Sequence, residues 1–112
     1  MSPVDRIAVE VIRGACRLIV DFVRGMTLRD FLADQQSHSA VAYQLVIIGE
    51  ATKHLSRSFR DHYEAVPWRE MAGMRDILVH DYLKLDISIL WRTATHNVPA
   101  LAATVTRMLD PA

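Results

Sequence analysis

Apolar residues recur along this chain at intervals of three and four, and no stretch alternates convincingly with period two. That spacing lines up side chains on one flank of a helix, whereas a strand presents every second residue to one face. The chain is therefore predicted to be all-α. The first run, Val4, Ile7, Ala8, Val11, Ala15, Leu18, Ile19 and Phe22, reads as one long amphipathic helix with a single core-facing stripe. Ser2 is placed as its N-cap, Pro3 falls in its first turn, and Asp5 stands where it can meet the orphan amides. Gly25 is the expected C-cap.

Thr27 can cap a short helix through Leu28, Phe31 and Leu32 that plugs one end of the core. After the polar run Asp34 to Ser39, a second long helix carries Val41, Leu45, Ile48, Thr52, Leu55 and Phe59, steps of four and three typical of a bundle seam. Pro67 and Trp68 open a third helix with Met71, Met74 and Leu78. Asp86 can cap a fourth, lined by Ile87, Leu90, Trp91, Ala94, Val98, Leu101, Val105 and Met108. Pro99 is expected to kink or break it near Asn97, since proline lacks the N–H that the preceding turn needs. The expectation is an antiparallel bundle of four main helices plus a short one, with no linker dividing it.

The 112 residues fit one domain, which at this size buries roughly two-thirds of the surface of the unfolded chain. Cys16 is the only cysteine, which excludes an internal disulfide and fits a reducing, cytoplasmic setting. No apolar run has the length of a membrane span, and the N-terminus lacks the plan of a signal peptide. Thirteen basic and thirteen acidic residues cancel. Nonspecific coating of nucleic acid draws on excess Lys and Arg, so any RNA contact must be a local patch. Lys53, Arg57 and Arg60 share one face of the second helix, with His54 and His62 nearby, a strip that reads first as a solvated helix face and only second as a guide for RNA. The histidines at 38, 54, 62, 80 and 96 show no zinc-type spacing, and no metal is expected.

Chemistry concentrates in Met71-Ala-Gly-Met-Arg-Asp-Ile-Leu-Val-His-Asp-Tyr82. Arg75 can hold a phosphate, His80 can shuttle a proton, and Tyr82 carries a nucleophilic phenol. On a helical wheel Arg75 falls among Met71, Met74, Leu78 and Val79, so it must meet a carboxylate such as Glu50, line a wet cleft, or sit at an interface. Tyr82 points the same way if the helix continues. His80, five residues after Arg75, lies about 140° round a regular helix. Cooperation of the two requires either a helix end near Val79 or completion by a second subunit across a two-fold axis. Taken singly, His80 could simply satisfy the last carbonyls of a helix, and Tyr82 could be a half-buried ring.

The pattern Arg75-x4-His80-x-Tyr82, with Trp68 and Gly73-Met74 before it and Ile48-Gly49-Glu50-Ala51 in the preceding helix, closely resembles the HepT family, the toxin subunits of prokaryotic HEPN/MNT toxin-antitoxin pairs. The likeness runs from Asp5-Arg6 through Asp86 and Trp91 to Pro99-Ala-Leu101. It implies a single HEPN domain over residues 1–112, a homodimer through the face carrying the Arg75/His80 cleft, and metal-independent endoribonuclease activity of the type VII kind. It also implies Arg75 and His80 as catalytic residues and no cofactor of the chain's own; beside that resemblance, Asp81 could orient His80, and Asp76 and Glu50 are taken as supporting carboxylates. The implied partner is a minimal nucleotidyltransferase antitoxin of the MNT type that silences the toxin by moving AMP from ATP onto the motif tyrosine, here Tyr82. The loop Leu83-Lys84-Leu85 is more apolar than is usual in that family. The alternative is a non-catalytic helical subunit that binds the nucleotidyltransferase. A plain nucleotide-binding domain ranks last.

Overall fold

Ser2 accepts a hydrogen bond from the Asp5 backbone N–H at 3.1 Å and, with Pro3 in the first turn, starts α1 (Pro3–Val23). The computed structural model describes residues 1–111. Gly25, at φ 76°, takes the left-handed conformation that ends this segment cheaply, and Thr27 closes a capping box with Asp30 to open α2 (Leu28–Leu32). Asp34 caps α3 (Gln35–His54), Ser56 caps α4 (Arg57–His62), and α5 (Trp68–His80) follows Pro67. A single 3-10 turn (Tyr82–Lys84) leads to α6 (Ile87–Arg92), capped by Asp86. A π-turn (Thr93–Asn97) then joins α6 to α7 (Val98–Leu109). Among the described residues there is no strand, so the all-α bundle expected from the spacing is what forms. No helix among them is long and apolar enough to cross a membrane.

The long helices pack in the order α7, α1, α3, α5, and α2 covers the end of the core against α6 and α3. Ile12, Ile19, Val41, Phe31, Leu90 and Val105 are fully buried at the centre. Arg13 ties α1 to the end of α7 through Asp110 at 3.1 Å.

Four local expectations are corrected. The polar run before Val41 is already helical, because Asp34 accepts from the Ser37 N–H and His38 turns inward to donate Nε2–H to the Phe31 carbonyl. The second long helix stops at His54, and Phe59 reaches the core from the separate short helix α4. Asp5 explains the interruption. Instead of serving the amides of its own helix, its buried carboxylate crosses to Ser56, accepting from the backbone N at 2.7 Å and from Oγ at 2.8 Å. Ser56 Oγ in turn accepts from the Phe59 N–H, so one carboxylate fixes the start of α4.

The core-facing stripe of α1 is also rotated from the expected one. Ala8, Ala15 and Ile19 are buried with Val9, Ile12, Cys16 and Val23, but Val4, Ile7, Val11, Leu18 and Phe22 are exposed. Near Pro99, by contrast, the regular α-helix is interrupted at Asn97 as expected, by the π-turn that separates α6 from α7. The wider π-turn ahead of it absorbs the mismatch, and Pro99 sits in the first turn of α7, where its missing N–H costs little.

Candidate functional site at the α3–α5 seam

Helices α3 and α5 approach closely because residue 49 is glycine. A Cβ there would overlap the Arg75 Cβ and come within 3.0 Å of its Cγ and of the Met71 carbonyl. The stem of Arg75 therefore lies along bare backbone, and its side chain is only 24% exposed. Glu50, the next residue of α3, places Oε2 3.1 Å from Arg75 Nε. That buried Nε has no aligned hydrogen bond, so the contact is an ion pair by distance rather than a directed bond. Arg75 Nη1 donates to Asp76 Oδ1 at 3.1 Å, and Lys53 Nζ donates to the same oxygen at 2.7 Å.

These four residues form one charge cluster across the seam, Glu50 and Lys53 from α3, Arg75 and Asp76 from α5. The Lys53 ammonium, then the Arg75 guanidinium, hold the Asp76 carboxyl below the usual carboxylate range. His54 Nε2 lies 4.0 Å from the other Glu50 oxygen. Two cations and two carboxylates cancel, so an incoming phosphate must compete with Asp76 and Glu50 for Arg75. Nη2 of Arg75 makes no hydrogen bond among the described residues and is the donor open to a ligand.

His80 and Tyr82 are placed apart from this cluster. The helix does end near Val79, one residue on, with His80 as the last residue of α5 and exposed; that end does not turn His80 back over Arg75. His80 therefore lies about 140° round and about 7.5 Å along the axis from Arg75. Tyr82 does not extend the helix. It opens the 3-10 turn at 39% exposure, with Leu83 fully exposed at the tip. Asp81, also exposed, makes no side-chain hydrogen bond to His80 among the described residues; its backbone N–H caps α5 through Ile77. So the structure joins Arg75 to Asp76 and Glu50 but does not join Arg75 to His80 within one chain. Among the described residues no three His, Cys, Asp or Glu side chains converge as metal ligands. An apolar groove of about 550 Å³ between α3, α5 and α7, lined by Ile48, Met71, Met74 and Leu101, contains none of the candidate residues.

Lys53 is the residue that the basic-strip reading misplaced. Arg57 and Arg60 stand on α4, beyond the break at Leu55-Ser56, while Lys53 turns to Asp76. The signal was its position three residues after Glu50, which puts both on the same face of α3.

Comparison with known proteins identifies the family of the chain. The family model described as "Ribonuclease HepT-like" matches residues 12–108. The chain is 42% identical over 92 residues to "Probable ribonuclease HepT" of Thermococcus cleftensis, covering 82% of this chain and 84% of that one. It is 38% identical over 101 residues to "Putative RNase TTE0752" of Caldanaerobacter subterraneus subsp. tengcongensis, covering 90% of each. No solved structure matches the chain. With the family model spanning all but the ends and the relatives aligned through both halves of the α3–α5 seam, the chain belongs to the HepT-like ribonuclease family.

Proposed function

We propose that the protein is the toxin of a HEPN/MNT-type toxin-antitoxin pair and cleaves RNA by metal-independent transesterification. The observation that carries this reading is Arg75, half-buried and pinned at the α3–α5 seam of a HepT-like ribonuclease, with His80 at the end of the same helix. His80 removes the proton of a ribose 2′-hydroxyl, and the oxygen attacks the adjacent phosphorus. Arg75 holds the phosphate and stabilises its growing charge. The P–O5′ bond breaks, a 2′,3′-cyclic phosphate forms, and the leaving 5′-oxygen takes a proton. Imidazoles exchange protons near neutral pH, so the His80 of a second subunit can supply that proton. Because Arg75 and His80 diverge on one regular helix, the productive pair comes from a homodimer through the face that carries them. No cofactor belongs to the chain.

We assign silencing to Tyr82. Its ring is partly exposed on a turn beyond α5, within reach of a second protein. A nucleotidyltransferase partner transfers AMP from ATP to the Tyr82 hydroxyl with release of pyrophosphate. The added phosphate and adenosine then compete with RNA for the cleft. Mass spectrometry of the chain co-expressed with its partner should show whole AMP units that vanish in Tyr82→Phe.

A second reading has its own observation. Arg75 already meets two carboxylates of its own chain, as a purely structural arginine does. In that case the protein is a helical subunit that positions the nucleotidyltransferase. Unmodified protein incubated with labelled RNA in EDTA decides between them. Cleavage that is lost in Arg75→Ala and in His80→Ala, with helicity intact, supports the nuclease. No cleavage at any dose supports the binding subunit.

A further inference from the structure

Among the described residues only two buried side-chain polar atoms lack a hydrogen-bond partner, Nε of Arg75 and Nε of Arg60. Buried polar groups are nearly always paired, so each orphan calls for a physical reason. Arg75 has one in the phosphate assigned to it above. Arg60, on α4, is partly buried and makes neither a hydrogen bond nor an ion pair among the described residues. With Arg57 and Arg69 it lines a hollow of about 600 Å³ between α4 and the first turn of α5. Arg69 has no ion pair either, and Arg57 reaches Asp61 only at 3.9 Å. Glu64 and Glu70 share the rim with Asp61, yet neither glutamate pairs with an arginine, and the three acids do not converge as metal ligands. The start of α5 adds donors of its own. No side chain caps it, and the N–H groups of Arg69 and Glu70 meet no backbone acceptor among the described residues.

We propose that this hollow is a second phosphate-binding subsite for the RNA backbone, in which Arg60 and Arg69 hold a phosphate remote from the scissile one. The inference rests on the ribonuclease reading above and adds to it a place for the flanking strand. Position favours this ligand. Arg69 stands eleven residues before His80 on α5, and eleven steps of 100° return it to within about 20° of the same face, about 16 Å away along the axis. A strand whose scissile phosphate lies at Arg75 and His80 therefore meets Arg69 if it follows that side of α5, and a few nucleotides cover the distance. Chemistry favours it too, because a guanidinium fork matches phosphate oxygens in pairs and keeps its charge at any pH near neutral. The acids on the rim set a limit. Three carboxylates against three arginines leave the hollow without net charge, so it does not gather anions from a distance. It takes a phosphate delivered by a strand already held at Arg75. The basic strip legible in the sequence thus survives in altered form: Lys53 leaves it for Asp76, and Arg69 joins Arg57 and Arg60.

The test compares the unmodified full chain with Arg60→Gln, Arg69→Gln and, as a control for charge alone, Arg29→Gln on the exposed side of α2. Binding is read on a single strand of about twelve nucleotides, the span of an ordinary single-strand site, with 2′-O-methyl groups in place of the attacking hydroxyls. Cleavage is read on an unmodified dinucleotide that holds only the scissile bond. Arg60→Gln and Arg69→Gln are each expected to weaken binding of the strand about tenfold, the loss of one charge-assisted contact, and to lower its log-log salt slope by about 0.7. Both variants should cleave the dinucleotide as the wild type does, and Arg29→Gln should bind the strand as the wild type does. Arg69 is exposed, so its replacement leaves the fold intact even where loss of the partly buried Arg60 does not. Unchanged affinity in Arg69→Gln, an equal loss in Arg29→Gln, or a strand that does not bind at all overturns the proposal. A wild type that holds the strand through Arg60 and Arg69 but cleaves nothing sinks only the nuclease. One that cleaves the dinucleotide, and whose affinity for the strand ignores both variants, sinks only the subsite.

Discussion

Gly49 and Arg75 touch across the α3–α5 seam, the bare Cα of one against the side-chain stem of the other, so the position of the guanidinium depends on the absence of a single methyl group. Gly49→Ala must push α5 outward or force Arg75 into another rotamer. Overpacking of this kind costs about 1–3 kcal/mol. The expected outcome is a lower melting temperature together with RNA cleavage reduced at least tenfold, beyond what the unfolded fraction explains. If the variant melts lower yet cleaves at the wild-type rate, Arg75 does not need this placement.

Asp76 sits between Lys53 and Arg75 and pairs with both through one oxygen, so that with Glu50 it cancels their charge. Its carboxyl titrates below the ordinary range because the two cations favour its charged form, so it remains ionised at neutral pH and gains a proton only under more acid conditions. Asp76→Asn leaves the cluster one charge more positive. RNA should then bind more tightly, with an affinity that falls more steeply as salt rises, by about 0.7 in the log-log slope for each added phosphate contact on a single strand. Filter binding over a salt series measures this. Weaker binding with an unchanged slope would show instead that Asp76 serves to aim Arg75.

The contrast between these residues and α1 shows what a sequence can convey. Caps are local, so Ser2, Thr27 and Asp86 are readable from their neighbours. The Arg75-His80-Tyr82 spacing is readable too, and so is the geometric conflict that α5 preserves by staying regular to His80. The facing of α1 is not, because apolar residues cover more than half of its circumference and a wheel cannot tell which part of so wide an arc is buried. The break before α4 is equally hidden. It depends on Asp5 meeting Ser56, 51 residues away, and that pairing exists only once α1 lies along α3. Lys53 finds Asp76 for the same reason.

Cys16 is fully buried on α1, and burial pushes its thiol up to about 12. The thiolate is the reactive form, so a thiol reagent should modify the native chain no faster than it opens. In denaturant one thiol per chain should react promptly. Rapid labelling of the native protein at neutral pH would mean that α1 is not packed as described.

The Asp5–Ser56 contact predicts how stability responds to acid. The backbone N–H of Ser56, with its hydroxyl in support, lowers the Asp5 carboxyl below its ordinary range, although burial acts in the opposite direction. A carboxyl lowered on folding contributes stability that is fully present above its unfolded pKa and is lost as pH falls through the lower, folded value. Denaturant melts from neutral pH downward should therefore lose stability across the acid range, and Asp5→Asn should flatten that part of the curve while lowering its neutral plateau. At neutral pH Asp5→Ala should cost about 1–3 kcal/mol, since it strands the Ser56 N–H and loosens the cap of α4. Ser56→Ala keeps the backbone donor but loses the hydroxyl that links Asp5 to the Phe59 N–H, and it should cost less. Equal losses in the two variants would place the weight of the contact on the hydroxyl rather than on the backbone bond.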